Sequence, residues 1–421
     1  MLFLIYLLLF CWLITKSRFI KKSGLSSLVL ISLFLLKVFV GCVGYKLMLK
    51  ISPFSDADTF HKTGLIEYHL LFSDPVQYIT NIFQSGYTPP YGNFYSSVNS
   101  YWNDLGGNFI AKLLSLFDIF SGGDYYINTI FYSYLLFLAS IGLFRFFSNI
   151  YPCKTIQLTT GCFLLPSFLF YSSYSHKDGL IFIALCSIIC CYYFLYKNNN
   201  NKFLLIFTIV LSIFFIFILR NYVAVALLPA LLSWFLCYKL KHSPYIIFTC
   251  TYIIAALLFF NTSKISPKIN LLQNFVDRQA AFKLLPESHT LIGLDTLKPS
   301  FKSFVLNAPQ ATSHILLRPF LTDNRLSVYL IPYALEILAY QFIFLLFLFF
   351  RTKSSGNNAA IFFLYFFSFS VLVIIGFTIP IIGAFIRYRS IYLPFIITPM
   401  LCAISWQKIK TFSKINKNNN M

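Results

Sequence analysis

The chain predicts an all-α polytopic membrane protein, with about 11 transmembrane helices and two long extracytoplasmic loops containing amphipathic helices. Three observations carry this expectation. Hydrophobic residues make up 58% of the 421 residues and charged residues only 11%, with a mean hydropathy of +0.73, whereas a soluble domain is about half apolar. The apolar residues gather in runs of about 15 to 25, long enough as helices to cross about 30 Å of hydrocarbon. The alternating segments of roughly ten residues that a barrel needs are missing, and lipid permits only helices or closed barrels.

The spans, in order, are read over 2–15, 25–49, 126–147, 156–174, 179–196, 203–219, 222–238, 244–260, 327–350, 359–382 and 390–405. The first is short and no basic residue precedes it, so it does not read as a cleaved signal peptide, whose positive flank comes first. Cytoplasmic turns hold the excess of Lys and Arg. An outside N-terminus puts Lys16/Arg18/Lys21/Lys22, Arg145/Lys154, Lys197/Lys202, Lys239/Lys241, Arg351/Lys353 and Lys408/Lys410/Lys414/Lys417 inside, and none of the 13 acidic residues lies in those turns. The C-terminus is then cytoplasmic. The formal charge of +20 reads as topology and affinity for anionic membrane lipids, and gives no reason to invoke nucleic acid.

Within this single integral membrane domain of residues 1–421, two long segments face outward, 50–125 and 261–326. Loops beyond about 15 residues are usually functional or disordered, and here the composition argues for order. TFHKTGLIEYHLLF (59–72), NFIAKLLSLFDIF (108–120) and NLLQNFVDRQAAFKLL (270–285) have helical apolar periodicity and predict surface helices. The Asn runs at 198–201 and 416–420 read as solvated inside connectors. The ten cysteines all fall in spans or an inside turn, with no spacing that suggests zinc.

Candidate chemistry lies in polar clusters at the outer face. SDADTFHKTG (55–64) carries Asp56, Asp58 and His61 just beyond the second span; SHKDG supplies His176, Lys177 and Asp178; Arg220 sits between the sixth and seventh spans. The turn Arg387-Tyr388-Arg389 follows the tenth span, and the second long segment adds Arg318 and Arg325. Charge beside a bilayer is costly enough to need an explanation. Arginine binds phosphate through a planar fork, which suits a phosphate or diphosphate on a lipid tail. The carboxylate pair offers a general base for an incoming hydroxyl, or one arm of a divalent metal site; no other cofactor is implied.

Plainer readings exist for each residue. Ser55 followed by Asp58 resembles a capping box that opens a helix. The basic turns are also what interfacial snorkelling produces. Arg220 paired with Asp178 would be purely structural, His61 and His69 would be surface residues, and Glu336 within the ninth span would be neutral and hydrogen-bonded.

An Asp-containing first outer loop after the opening spans, an amphipathic helix within it and about 11 spans together resemble the GT-C superfamily of integral membrane glycosyltransferases, over the N-terminal half more than the rest. The resemblance implies a polyprenyl-phosphate-linked sugar as donor, a glycan or lipid acceptor, and a bacterial inner membrane. It implies Asp56 as the base and Asp58 as a helper or metal-side ligand, while the charge argument above puts Lys177, Arg220, Arg318, Arg387 and Arg389 on the lipid phosphate. LLPSFLFYSSYSHKDGLIF (164–182), LLRPF (316–320) and GAFIRYRSIYLPFI (383–396) are similar to bacterial envelope-polysaccharide membrane proteins, a set that includes O-antigen polymerases and ligases acting on undecaprenyl diphosphate glycans. A transporter or flippase for the same lipids is the alternative of another class, although mid-span charges and internal repeats would mark one.

Overall fold

A computed structural model describes residues 1–51, 55–92, 100–197, 201–265, 270–284, 290–323, 327–352 and 358–409. The described residues are all-α, without strands, and only isolated bridges such as Leu291 with Ile381 break the pattern. The N-terminal third comprises α1 (Leu2–Lys16), the short α2 (Arg18–Lys21), α3 (Ser27–Ile51), α4 (Asp56–Ser73), α5 (Pro75–Thr80), α6 (Tyr101–Ser121) and α7 (Tyr125–Ile150). Then come α8 (Thr155–Phe163), α9 (Pro166–Tyr171), α10 (Lys177–Lys197), α11 (Lys202–Leu219), α12 (Asn221–Leu240) and α13 (Pro244–Phe260). The rest holds α14 (Thr262–Ile265), α15 (Leu271–Lys283), α16 (Phe301–Leu317), α17 (Ile331–Phe350), α18 (Ala359–Thr378), α19 (Ile382–Ser390) and α20 (Leu393–Ala403).

Among the described residues, seven helices are long and apolar enough to cross a membrane: α3, α7, α10, α11, α12, α17 with its preceding turn, and α18. Shorter apolar helices are α1, α13 and α20. The chain is therefore a multi-pass membrane protein. Large apolar side chains stay exposed on α11 and α17, with Phe203 83% and Phe349 78% accessible, as lipid-facing helices require. The core is aromatic and lies where α7 and α10 pack together, around Tyr132, Phe137, Phe144 and Phe182.

Three expected spans differ. The run 156–174 is two helices, because Pro166 lacks the N–H that would continue α8 and instead opens α9 at its first turn. SHKDG, read as an outward-facing turn, is largely buried at Ser175, His176 and Asp178, and its Lys177 and Asp178 already open α10. The run 359–382 ends at Thr378 before Pro380, and Arg387-Tyr388-Arg389 lies on helix α19 rather than in a turn. The last run contracts to the 11 residues of α20. In the long segments, α4, α6 and α15 form where periodicity predicts them, whereas α16, with Pro309 inside it, was not foreseen.

Caps fix the helix starts near the site. Ser55 accepts from Asp58 N at 3.5 Å, Ser100 from Asn103 N at 3.3 Å, and Asp124 from Tyr126 N at 2.8 Å. Helix α4 lies on α6, where a Cβ on Gly64 would meet Leu114 Cβ at 3.0 Å. A buried Lys112–Glu67 ion pair holds the two helices in register. Arg145 donates to Phe19 O at 3.4 Å, and Arg351 bridges Ile404.

Candidate active site

One ionic cluster gathers at the ends of α4, α10, α11/α12 and α19. Asp56 opens α4, where acidic groups suit the helix dipole. Asp178 is the second residue of α10 and its side chain is 1% exposed. Arg220 is the single residue joining α11 to α12, with extended backbone. Arg387 comes from α19.

The links are short. Arg387 Nη1 lies 2.8 Å from Asp56 Oδ2, and its Nε lies 3.6 Å from Asp178 Oδ2. Arg220 Nη2 lies 2.7 Å from Asp178 Oδ1, and its Nη1 donates to the Tyr222 hydroxyl at 2.9 Å. Both guanidiniums meet the ring of Tyr388, at 3.7 Å for Arg220 and 4.8 Å for Arg387, so cation–π attraction offsets part of their repulsion. Lys177 stands beside them and donates to Asn103 O at 3.1 Å. Gly106 makes room for it: a Cβ there would meet Ile218 O at 3.0 Å and Lys177 Nζ at 3.4 Å.

The cluster has a closed and an open end. Asp178 and Arg220 are buried, at 1% and 11% side-chain exposure, whereas Asp56 is 52% exposed. Arg387 therefore joins a buried carboxylate to an accessible one. Its charge holds Asp56 well below the usual carboxylate range. Burial, and then Arg387, push the His176 imidazole down to about 4, so it is neutral at pH 7. The His176 backbone is fixed by Tyr132, whose hydroxyl donates to His176 O at 2.5 Å and accepts from His176 N at 3.2 Å. Gly179 permits that approach, since a Cβ there would stand 2.0 Å from the Tyr132 oxygen.

Asp56, His176, Lys177, Asp178, Arg220 and Arg387 thus come together. Four other expected residues do not join them. Asp58, two residues from Asp56 and so on another face of α4, pairs with Lys62 at 2.7 Å and accepts from Tyr45 at 3.1 Å. Burial pushes its carboxyl up, but these two partners outweigh burial and hold it below its ordinary value. The capping reading of Ser55 and Asp58 holds for the Ser55 half. His61 is half-buried with its ring edge-on to Tyr125 at 5.1 Å, not a surface residue as expected. Arg318 pairs with Asp323 at 3.4 Å. Arg389 is buried and donates to Ile315 O at 2.7 Å and Arg318 O at 2.9 Å, which leaves it inside the bundle. Arg325 lies outside the described residues.

The structural pairing expected for Arg220 and Asp178 is present, and it anchors the cluster. Tyr222 and Tyr388 were missed, although RNY and RYR set each beside an arginine. Among the described residues no three His, Cys, Asp or Glu side chains group as metal ligands, and Asp56 and Asp58 turn to different partners, so the donor set does not fit a divalent ion. No family model, curated protein or solved structure matches the chain.

Proposed function

We propose that the protein is a membrane glycosyltransferase that moves a sugar from a polyprenyl-phosphate-linked donor to a glycan or lipid acceptor, at the outer face of a bacterial inner membrane. The observation that carries this reading is the Asp56–Arg387–Asp178–Arg220 chain of ion pairs, buried at one end and accessible at the other. A lipid phosphate meets Arg387 at the open end, with Lys177 beside it, while Asp178 and Arg220 hold Arg387 in place. Charge-assisted bonds from a planar guanidinium are the strong and directional ones for phosphate.

The ion pair makes Asp56 a poor base while it holds Arg387. Binding of the donor phosphate draws the Arg387 charge onto the phosphate, and Asp56 regains basicity as the substrate arrives. The acceptor O–H then gives its proton to Asp56, and its oxygen attacks the anomeric carbon. The bond from that carbon to the phosphate oxygen breaks, and the phosphate leaves with the electron pair toward Arg387. A single displacement of this kind inverts the anomeric centre.

The test is transfer by purified protein in nanodiscs, with labelled sugars on polyprenyl monophosphate and on polyprenyl diphosphate, read by mass spectrometry of the product. Turnover with inverted anomeric configuration supports the reading. Turnover only with diphosphate-linked oligosaccharides would favour a polymerase or ligase, and vectorial movement without bond cleavage would favour a transporter.

A further inference from the structure

Beyond the ionic cluster, the bundle holds a second acid–base pair, in which Glu336 is hydrogen-bonded as expected but takes three donors on one oxygen, as an ionised carboxylate does, rather than standing neutral. Glu336 on α17 is 6% exposed and Arg389 on α19 is 2% exposed. Each is pinned at one end only. Glu336 Oε1 accepts from Ser167 N and Ser167 Oγ, both at 3.0 Å, and from the Tyr340 hydroxyl. Arg389 Nη1 is engaged by the carbonyls of Ile315 and Arg318. Among the described residues, Glu336 Oε2 and Arg389 Nε and Nη2 are buried without a hydrogen-bond partner. The two groups act on each other electrostatically, yet among the described residues no ion pair joins them.

That arrangement is unusual on energetic grounds. A desolvated guanidinium and carboxylate gain most by closing into a forked pair, and each unmet buried polar group costs about 1–3 kcal/mol, more when charged. Here each is held from its other end, and a partner for the three orphaned atoms must accept from Arg389 and donate to Glu336. We propose that Arg389 and Glu336 form a second binding site inside the bundle, for an uncharged group bearing two neighbouring hydroxyls, such as a sugar ring.

Charge decides the class. The pair is neutral overall, so an anion drawn to Arg389 is repelled by Glu336, and a cation meets the reverse. Two vicinal hydroxyl oxygens match the fork of Nε–H and Nη2–H, while one of the O–H groups donates to Oε2. Tyr171, one turn after Ser167 on α9, and Tyr333, one turn before Glu336 on α17, stack at 5.8 Å and 26° and offer the flat aromatic face that the C–H side of a ring prefers. Arg387 and Arg389 lie two residues apart on α19. The second site therefore adjoins the first, and one molecule can present its anionic part to Arg387 and its hydroxyls to Arg389. Only the identification of the ring as the substrate's own sugar rests on the function proposed above.

The experiment measures saturable binding of two probes, a neutral hexose such as galactose and inorganic phosphate, to the full-length protein in nanodiscs by saturation-transfer NMR. Glu336→Gln keeps an acceptor for Ser167 and replaces the other oxygen with a donor. It should weaken the hexose by about tenfold, a loss of about 1.4 kcal/mol, and leave phosphate binding intact, which also reports folding. Tyr333→Leu should weaken the hexose from the aromatic side, again sparing phosphate. Arg387→Lys should do the opposite, weakening phosphate alone. Hexose affinity equal in wild type, Glu336→Gln and Tyr333→Leu, or no saturable hexose binding by the wild type, overturns the proposal and leaves the space to ordered water. Transfer activity that survives such a result keeps the proposed function, and hexose binding without transfer does the reverse, so the two failures are distinguishable.

Discussion

Arg387 Nη1 stands 2.8 Å from Asp56 Oδ2, an ion pair between the first turn of α4 and a helix more than 300 residues later in the chain. The same guanidinium reaches back to Asp178, so the accessible carboxylate is tied to the buried core of the cluster through one side chain.

Removing that tie has a predicted sign. In Arg387→Ala the Asp56 carboxyl loses the charge that lowers it, so the acid limb of the pH–rate profile moves to higher pH. The rate itself falls by about 100- to 1,000-fold, the range for losing one group that stabilises a leaving oxygen. Initial rates between pH 4 and 8 check both effects.

Asp178 holds the closed end. Asp178→Asn leaves Arg220 and Arg387 without their buried counter-charge, and breaking a buried pair from one side costs about 3–5 kcal/mol. Thermal unfolding in detergent should show a lower midpoint than wild type, with Asp56→Asn affected far less because Asp56 is half exposed.

His176 gives a pH dependence to stability. Its folded pKa of about 4 lies below the unfolded value of 6.5, so between those pH values the unfolded chain binds more protons. The stabilisation is complete above about pH 6.5 and is lost as the pH falls toward 4, a change on the order of 3 kcal/mol. The unfolding midpoint should drop between pH 7.5 and pH 4.5, and drop less in His176→Gln.

Asp58 and Gly179 separate packing from chemistry. Asp58→Asn keeps the Tyr45 contact in a neutral form and should change transfer only a few-fold. Gly179→Ala places a methyl 2.0 Å from the Tyr132 oxygen and should destabilise by about 1–3 kcal/mol through forced displacement. Thermal midpoints and rates measured together distinguish the two.

The sequence makes some of this legible and hides the rest for physical reasons. Asp56, Lys177, Asp178, Arg220 and Arg387 stand out because charges interrupt apolar runs at span ends, where they are costly. Arg389 looks identical to Arg387 in RYR, yet a two-residue step turns it to another face of α19, where the carbonyls of Ile315 and Arg318 capture it. Those carbonyls belong to the end of α16, a helix that the pattern of residues 301–317 did not announce. Asp58 fails for the same geometric reason on α4. Tyr222 and Tyr388 are lost among 28 tyrosines, and only tertiary packing brings Tyr388 against two guanidiniums. Pro166 was a readable stop within an apolar run, and a proline-first reading would have divided that span.

The central claim is that Asp56 accepts the acceptor's proton. Asp56→Asn, folded and purified at wild-type level and assayed with a labelled polyprenyl-phosphate sugar, measures it most directly. The account predicts a fall in turnover of about 100- to 10,000-fold, the usual worth of a positioned general base, with donor binding retained. Turnover within a few-fold of wild type would contradict it.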